Sequence, residues 1–449
     1  MRSFGLILIA ILLGFLPARP EAKKDSIIVS IITCAPGREV YELCGHTAVR
    51  IRTAEPSRLD SVWNYGLFDF NAPNFVYRFV KGETDYMVAG YPFSLFLPEY
   101  EVHGREVTEQ VLNLSQAESR KLLAELREES LPENRVYRYN YVKDNCATRV
   151  VRRLRSASDE RILIPDTVKY GTFRKEMRSF HKNYPWYQFG IDLALGSGID
   201  YPLRGEEEMF APVDLKERLD GARFADGRPV VKETRTIIEG REGATLPQTK
   251  WYLTPLFWSA ILLFAGLLTA FGEWKQKRIY RPVYTVWFGI CGIAGCVVCF
   301  LVFISEHEAT SPNLLLIWLN PLQLIAAATV WSRRMRPATL AVMWYDIVAV
   351  GCMMIVWPFQ AQSANPAFFG LMALTVVLAA AYALVPAKKE TTMKFSPRAA
   401  VNKVRTGLDI LDEKNSLFGL DGAGDDERGR GRGSRAAGGK APARGRNRR

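Results

Sequence analysis

Two residues a hundred positions apart, His46 and Cys146, have types that can do chemistry together. A cysteine works as a nucleophile only as its thiolate, and it needs a base to hold or take the proton. Cys146 follows Asn145 and opens the stretch CATRVVRRL, whose apolar residues fall at helical spacing. That spacing predicts a thiol in the first turn of a helix, where free backbone N–H groups and the macrodipole lower a thiol pKa. Of the other six cysteines, Cys291, Cys296, Cys299 and Cys352 lie in very apolar sequence, which disfavours a thiolate. Cys34 and Cys44 can pair with each other in an oxidising compartment, leaving Cys146 as the unpaired thiol. The plainer alternative for Cys146 is a small packed residue. Among the four histidines, His46 follows Gly45 at the start of a core strand. His103 sits on a strand pattern and reads as a surface residue. His181, in SFHKNYPW, is the runner-up as base, and His307 falls in a short loop between apolar segments. Four histidines are too few for a poly-histidine metal centre, and no metal or cofactor is expected.

The elements that must position this pair read as α+β. IIVSIIT at 27–33 is a strand, and HTAVRIR at 46–52 alternates with period two, as a half-buried strand does. SVWNYGLFDF at 61–70 is aromatic and β-rich and pairs with it. A further strand is expected around Glu101–Leu114. Ser115 and Glu118 have capping-box spacing ahead of Leu122, Leu123 and Leu126, which predicts a helix. YRYNY at 137–141 reads as a short extended stretch leading to Cys146.

The chain of 449 residues has room for two or three domains. Its 48% hydrophobic and 24% charged content excludes collagen-like, wholly disordered and disulfide-dense classes. The formal charge of +12 is concentrated in short segments, so no nucleic-acid-binding face is expected. Met1-Arg2, the apolar run Phe4–Leu16 and Pro17-Ala18 describe a secretory signal over 1–22, or else an uncleaved anchor. Five later stretches are long enough to cross about 30 Å of hydrocarbon: Trp251–Phe271, Val283–Ser305, Leu314–Trp331, Ala338–Pro358 and Ala367–Val385. Basic residues in the first connecting loop (Lys275, Lys277, Arg278, Arg281), in the third (Arg333, Arg334, Arg336) and after the last span place those segments in the cytoplasm. The region before the spans is then periplasmic, in agreement with the export signal. Trp251, Trp331, Trp344 and Trp357 fall near span ends, as interfacial aromatics do. The expected division is a periplasmic domain over 25–215, a linker over 216–250, a five-helix membrane domain over 251–386 and a cytoplasmic tail over 387–449. The tail is Gly- and Arg-rich from about 421 and reads as disordered, held near anionic lipid by its charge rather than bound to RNA.

The order of the motifs carries more than the pair alone. GHTAVRI at 45–51 comes first and DNCAT at 144–148 second. This resembles the circularly permuted, NlpC/P60-like branch of the papain-like thiol superfamily, which includes relatives of lecithin:retinol acyltransferase. The stretches APGREVYELCGHTAVRI, WNYGLFDF, NYVKDNCATR, WYQFGIDLALGSGID, MFAPVDL and EHEATSPNLLLIWLNPLQL resemble more closely the lipoprotein N-acyltransferase (Lnb) family of Bacteroidota. The fold this implies is a permuted papain-like α+β domain followed by a bundle of five transmembrane helices. Cys44 and the Gly/Arg-rich tail are not part of the shared pattern.

The resemblance implies a multi-pass inner-membrane enzyme. It would move an acyl chain from a membrane phospholipid, through a Cys146 thioester, to the α-amine of a lipoprotein's N-terminal diacylglyceryl-cysteine. Its partners would be that donor, that acceptor and the membrane. His46 would serve as base, with Asn64 orienting its ring, or Asp69 in its place. His307 and Asn313 flank the outer end of the third span, where a headgroup or the acceptor would lie. Asn320, Pro321 and Gln323 make that span polar and kinked. Asp346 is an ionisable residue inside a span, read as a helix-packing residue. Two other classes stay open on the sequence: a membrane-anchored thiol peptidase or amidase acting on cell-wall peptide, and a non-enzymatic periplasmic scaffold.

Overall fold

The computed structural model describes residues 26–384, apart from 70 and 160. The expected signal or anchor at 1–22 and the tail at 387–449 lie outside the described residues. A seven-stranded antiparallel sheet leads. β1 (Ile27–Cys34), β2 (His46–Thr53) and β3 (Asp60–Leu67) follow the period-two pattern of the sequence. The helix α1 (Phe75–Lys81) then precedes β4 (Asp85–Pro92). The expected strand at 101–114 divides into a helix, α2 (Leu97–His103), and a shorter strand, β5 (Val107–Leu112). Pro98 opens α2, and Gly104 at φ +67° closes it, so His103 belongs to a helix end rather than to a strand. α3 (Gln116–Glu129) starts at the reciprocal Ser115–Glu118 cap, and β6 (Val136–Arg138) leads to α4 (Cys146–Ala157).

Six shorter elements complete this half: β7 (Ile162–Leu163), α5 (Phe173–Phe180), α6 (Pro185–Ala194), α7 (Pro212–Gly221), β8 (Arg223–Phe224) and β9 (Val231–Ile238). The sheet order is β6-β4-β3-β2-β1-β5-β9. β9 pairs with β5 from Val107↔Ile238 to Leu112↔Val231. The stretch 216–250, read as a linker, therefore contributes an edge strand. Its KETRT run is charged, as exposed edges are, and that charge hid it. One sheet face (Val29, Ile31, Val49, Ile51, Trp63) packs under α3 and α4. The other (Ile32, Ala48, Val62, Val107) packs against Phe93, Phe96 and Tyr100. The two faces alternate along each strand, as the pleat requires.

The second half is helical: α8 (Pro255–Gln276), α9 (Arg281–Phe303), α10 (Gln323–Thr329), α11 (Arg336–Phe359) and α12 (Pro366–Leu384). Among the described residues four of these, α8, α9, α11 and α12, are long and apolar enough to cross a membrane. The third expected span, Leu314–Trp331, is built as a 3-10 turn at Leu314–Ile317 followed by the short α10. Pro321 cannot continue a helix. The Trp318 carbonyl freed near the break accepts from Asn320 Nδ2 at 3.3 Å and Gln323 Nε2 at 2.9 Å, which is how broken backbone is accommodated in an apolar surrounding. Gln323 Nε2 also reaches Asp346 Oδ1 at 3.0 Å, joining α10 to α11.

Polar contacts fasten the two halves together. Arg178 Nη1 donates to Ser363 Oγ at 2.9 Å, and Asn365 Nδ2 donates to Asp192 Oδ2 at 3.1 Å. Phe189 of α6 meets Phe368 of α12 at 5.0 Å between ring centroids. The sheet half is thus fixed against the ends of the apolar helices.

Candidate active site

Cys146 occupies the first helical position of α4 because Asn145 caps the helix. Asn145 Oδ1 accepts from Ala147 N at 2.9 Å and Thr148 N at 3.0 Å, and Thr148 Oγ1 accepts from Asn145 N at 2.8 Å. The Asn145 amide nitrogen donates to the carbonyls of Tyr141 and Phe210. Both ends of this amide are therefore engaged in fixing the start of the helix, which places the sulfur. His46 is placed from the other side. Gly45 turns at φ +80°, and a Cβ there would lie 2.5 Å from the Cys34 carbonyl, so only glycine makes this approach. β2 then begins at His46, opposite Cys34.

The two meet. Cys146 and His46 line one cavity, where the charge of the His46 ring and the nearby backbone N–H groups of Thr47 and Ala147 act on the sulfur. His46 Nε2 lies 2.6 Å from Asn64 Oδ1, which leaves Nδ1 for the sulfur. Asn64 is opposite Ala48 on β3. It shares a sheet face with His46 and sits one diagonal step away, within cross-strand reach. Its Nδ2 donates to Tyr91 Oη at 2.9 Å, so the amide is oriented with its oxygen toward the imidazole. Burial alone would push the Cys146 thiol up; the charge and hydrogen bond of His46 and the two backbone N–H groups outweigh it and hold the thiol below its ordinary range. Burial would lower the His46 pKa; the charge and hydrogen bond of Cys146 and the Asn64 bond outweigh that and raise it. Both shifts run in the direction of a thiolate beside an imidazolium. Cys34 and Cys44 are free thiols, each pushed up to about 12, chiefly by burial. Cys44 Sγ lies 3.1 Å from Tyr141 Oη.

The pair opens on a cavity of about 230 Å³ whose wall includes Asn64, Phe68, Tyr86, Arg105, Tyr139 and Tyr141. Arg105 is buried, donating through Nη1 to Glu42 Oε1 at 2.6 Å and through Nε to the Ala35 carbonyl at 2.8 Å. A larger cleft of about 720 Å³, along Thr148, Val151 and Arg152, includes neither Cys146 nor His46. Glu42, Glu99 and His103 bring potential metal-ligand atoms within 4.8 Å of one another, but Glu42 is already engaged by Arg105.

The other expected site residues lie elsewhere. Asp69 follows the end of β3 and is exposed, its Oδ1 accepting from Asn71 N at 2.8 Å. His181 caps α5, buried, with Nδ1 2.7 Å from Gln188 Oε1, and burial lowers its pKa. Asn313 is buried and fully used. It donates to the Leu193 carbonyl at 3.0 Å and accepts from Leu315 N and Gln362 Nε2, so it joins the halves rather than facing a ligand. His307 Nε2 bonds the Phe79 carbonyl of α1 at 2.8 Å. Tyr91, Arg105 and Tyr139 carried no local signal. Tyr91 lies on β4, Arg105 between α2 and β5 and Tyr139 just after β6, and only the fold brings them to the pair.

Residues 19–175 match the family model described as the Lnb N-terminal periplasmic domain, and residues 247–390 match the one described as the Lnb transmembrane domain. Together the two matches cover well over half of the chain. No curated protein and no solved structure matches it.

Proposed function

The chain belongs to the Lnb family, and on that premise we propose that it transfers an acyl chain from a membrane phospholipid to the α-amine of a lipoprotein's N-terminal diacylglyceryl-cysteine. The observation that carries this reading is Cys146 and His46 lining one cavity, with Asn64 bonded to the His46 ring, in a domain fastened directly to the ends of apolar helices. A nucleophile that must reach two lipid-anchored substrates needs that fixed height; an enzyme acting on soluble peptide does not. The pairing of a helix-opening cysteine with a strand histidine supports a papain-like mechanism. The basic loops at 275–281 and 333–336 support a periplasmic site and a cytoplasmic C-terminus.

In the first half-reaction the Cys146 thiolate attacks an ester carbonyl carbon, forming the C–S bond. The backbone N–H of Cys146, which the Asn145 cap does not engage, stabilises the oxyanion. Collapse breaks the C–O bond, and the His46 imidazolium gives its proton to the departing lysophospholipid oxygen. In the second, the acceptor α-amine attacks the thioester and forms the C–N bond. The C–S bond breaks, and neutral His46 takes the amine proton, restoring the ion pair. Asn64 accepts from Nε2 throughout and keeps Nδ1 aimed at the sulfur.

The test is reconstitution in phosphatidylethanolamine vesicles with a synthetic diacylglyceryl-cysteine peptide, followed by mass spectrometry. The expected product carries one added acyl group on the α-amine, with lysophospholipid formed in equal amount. Unmodified peptide together with cleavage of cell-wall peptide would overturn the proposal in favour of an amidase. Asn64→Ala should lower turnover roughly 10–100-fold, the loss of a hydrogen bond to a charged group being worth about 1.5–3 kcal/mol. Asn64→Asp restores an acceptor and should recover most of the rate. Its carboxylate should also shift the alkaline limb of the pH profile upward, an effect that a merely structural role for Asn64 would not produce.

A further inference from the structure

We infer that α1 lies in the outer leaflet and that the line of aromatic rings from it to Cys146 is the track along which the donor phospholipid's acyl chain reaches the thiolate. This rests on the acyltransferase reading and specifies where the donor enters.

The sequence of α1, FVYRFVK, leaves Val76, Tyr77 and Phe79 exposed at 73%, 55% and 48%. So many large apolar side chains on one short helix mark a contact surface rather than a solvated one. The helix is joined to the end of the apolar helix α9. Ser305 Oγ donates to the Val80 carbonyl at 2.9 Å, Glu306 N to the Lys81 carbonyl at 2.7 Å, and His307 Nε2 to the Phe79 carbonyl at 2.8 Å. The Tyr77 ring meets that of Phe300, inside α9, at 6.1 Å. Phe303 and Ile304, also exposed, continue the patch along α9. The apolar face of α1 is thus continuous with a helix that spans the membrane, and the partner this fits is lipid.

The rings do not stop at α1. Phe79 stacks with Phe75 at 6.1 Å, Phe75 with Phe68 at 5.8 Å, Phe68 meets Tyr86 at 4.8 Å, and Tyr86 stacks with Tyr139 at 4.2 Å. Phe68, Tyr86 and Tyr139 line the cavity that holds Cys146. An acyl chain leaving the bilayer is penalised for every methylene it exposes to water. A continuous aromatic wall from span to nucleophile removes that cost along the path. His307 then acts as a positioning residue, holding α1 against α9.

The experiment uses the full chain in phospholipid nanodiscs. Val76→Asp and Phe79→Asp change exposed side chains and leave the Cys146–His46–Asn64 chain untouched. Each should slow acylation of Cys146 by bilayer phospholipid at least about tenfold, a loss of roughly 1.4 kcal/mol or more for a charge set in an apolar path. Acylation of Cys146 by a soluble short-chain p-nitrophenyl ester should be unchanged. Independently of activity, Val76→Trp should add fluorescence that is quenched by lipids brominated on their acyl chains. Unchanged phospholipid acylation, equal loss with both donors, or an unquenched tryptophan at 76 would each overturn the track. Normal Cys146 acylation with slowed transfer to the lipopeptide would assign α1 to the acceptor and overturn it likewise. Failure of the acyltransferase reading looks different: the wild type would take no acyl group from phospholipid, while the brominated-lipid result still reports the position of α1.

Discussion

Cys146→Ala should insert and fold like the wild type but form triacylated lipoprotein at least roughly 10⁴-fold more slowly, as when a covalent nucleophile is removed from a cooperating set. The fold has little reason to change. The cap of α4 runs through Asn145 and Thr148, not through the sulfur, and the helix is anchored by the buried Ala147, Val150, Val151 and Leu154. No neighbouring thiol can substitute, because burial keeps Cys34 and Cys44 protonated at neutral pH. The companion measurement uses the wild type with labelled phospholipid and no acceptor. A hydroxylamine-sensitive acyl group should accumulate on Cys146, since the second half-reaction has nothing to attack the thioester. A Cys146→Ala protein that still forms product, or an active wild type that never carries the adduct, would exclude the thioester route.

That the place of Cys146 at the start of a helix was legible in the sequence has a local cause. An asparagine cap followed by apolar residues at helical spacing fixes where a helix begins within a few residues, and Cys146 is inside that window. The glycine before His46 and the alternation after it do the same for β2. Asn64 was legible one level up, through strand pairing. Asp69 lies outside the cavity wall because β3 ends at Leu67, after an irregularity beside Gly66 at φ +95°. The missing pieces are those set by long-range contacts. β4 has only partial alternation in DYMVAGYP, and Gly90 is required there by the Trp63 ring that covers it. β9 is an edge strand whose charges imitate a linker. The cavity wall combines Phe68, Tyr86, Arg105 and Tyr139, residues from four separate stretches. In the helical half, apolar length suggested five spans, while Pro321 and the amides beside it divide the third into a turn and a short helix.

His46→Ala should be nearly as damaging as Cys146→Ala, and its pH dependence identifies the reason. In the wild type the thiol is held low against its own burial, first by the charge of His46 and then by hydrogen bonds. Removing the imidazole leaves burial as the dominant influence, and burial raises a thiol pKa. The thiolate fraction at neutral pH therefore falls. Alkylation of Cys146 by iodoacetamide should slow roughly 10–100-fold at pH 7 as the thiolate fraction falls, and its profile should move to the alkaline side. Acyl transfer should fall further than alkylation, because alkylation needs only the thiolate. Transfer also needs a proton for the leaving oxygen and a base for the incoming amine. The same reasoning shapes the wild-type profile. The acid limb lies below the ordinary thiol range, where the ion pair takes up a proton. The alkaline limb lies above the ordinary imidazole range, because His46 is raised by its partners. Both limbs belong to the coupled pair rather than to either residue alone. His46→Ala should therefore abolish the plateau between them instead of shifting one edge. A variant that retained a neutral-pH plateau in Cys146 alkylation would show that the backbone N–H groups of Thr47 and Ala147 hold the thiolate without the imidazole.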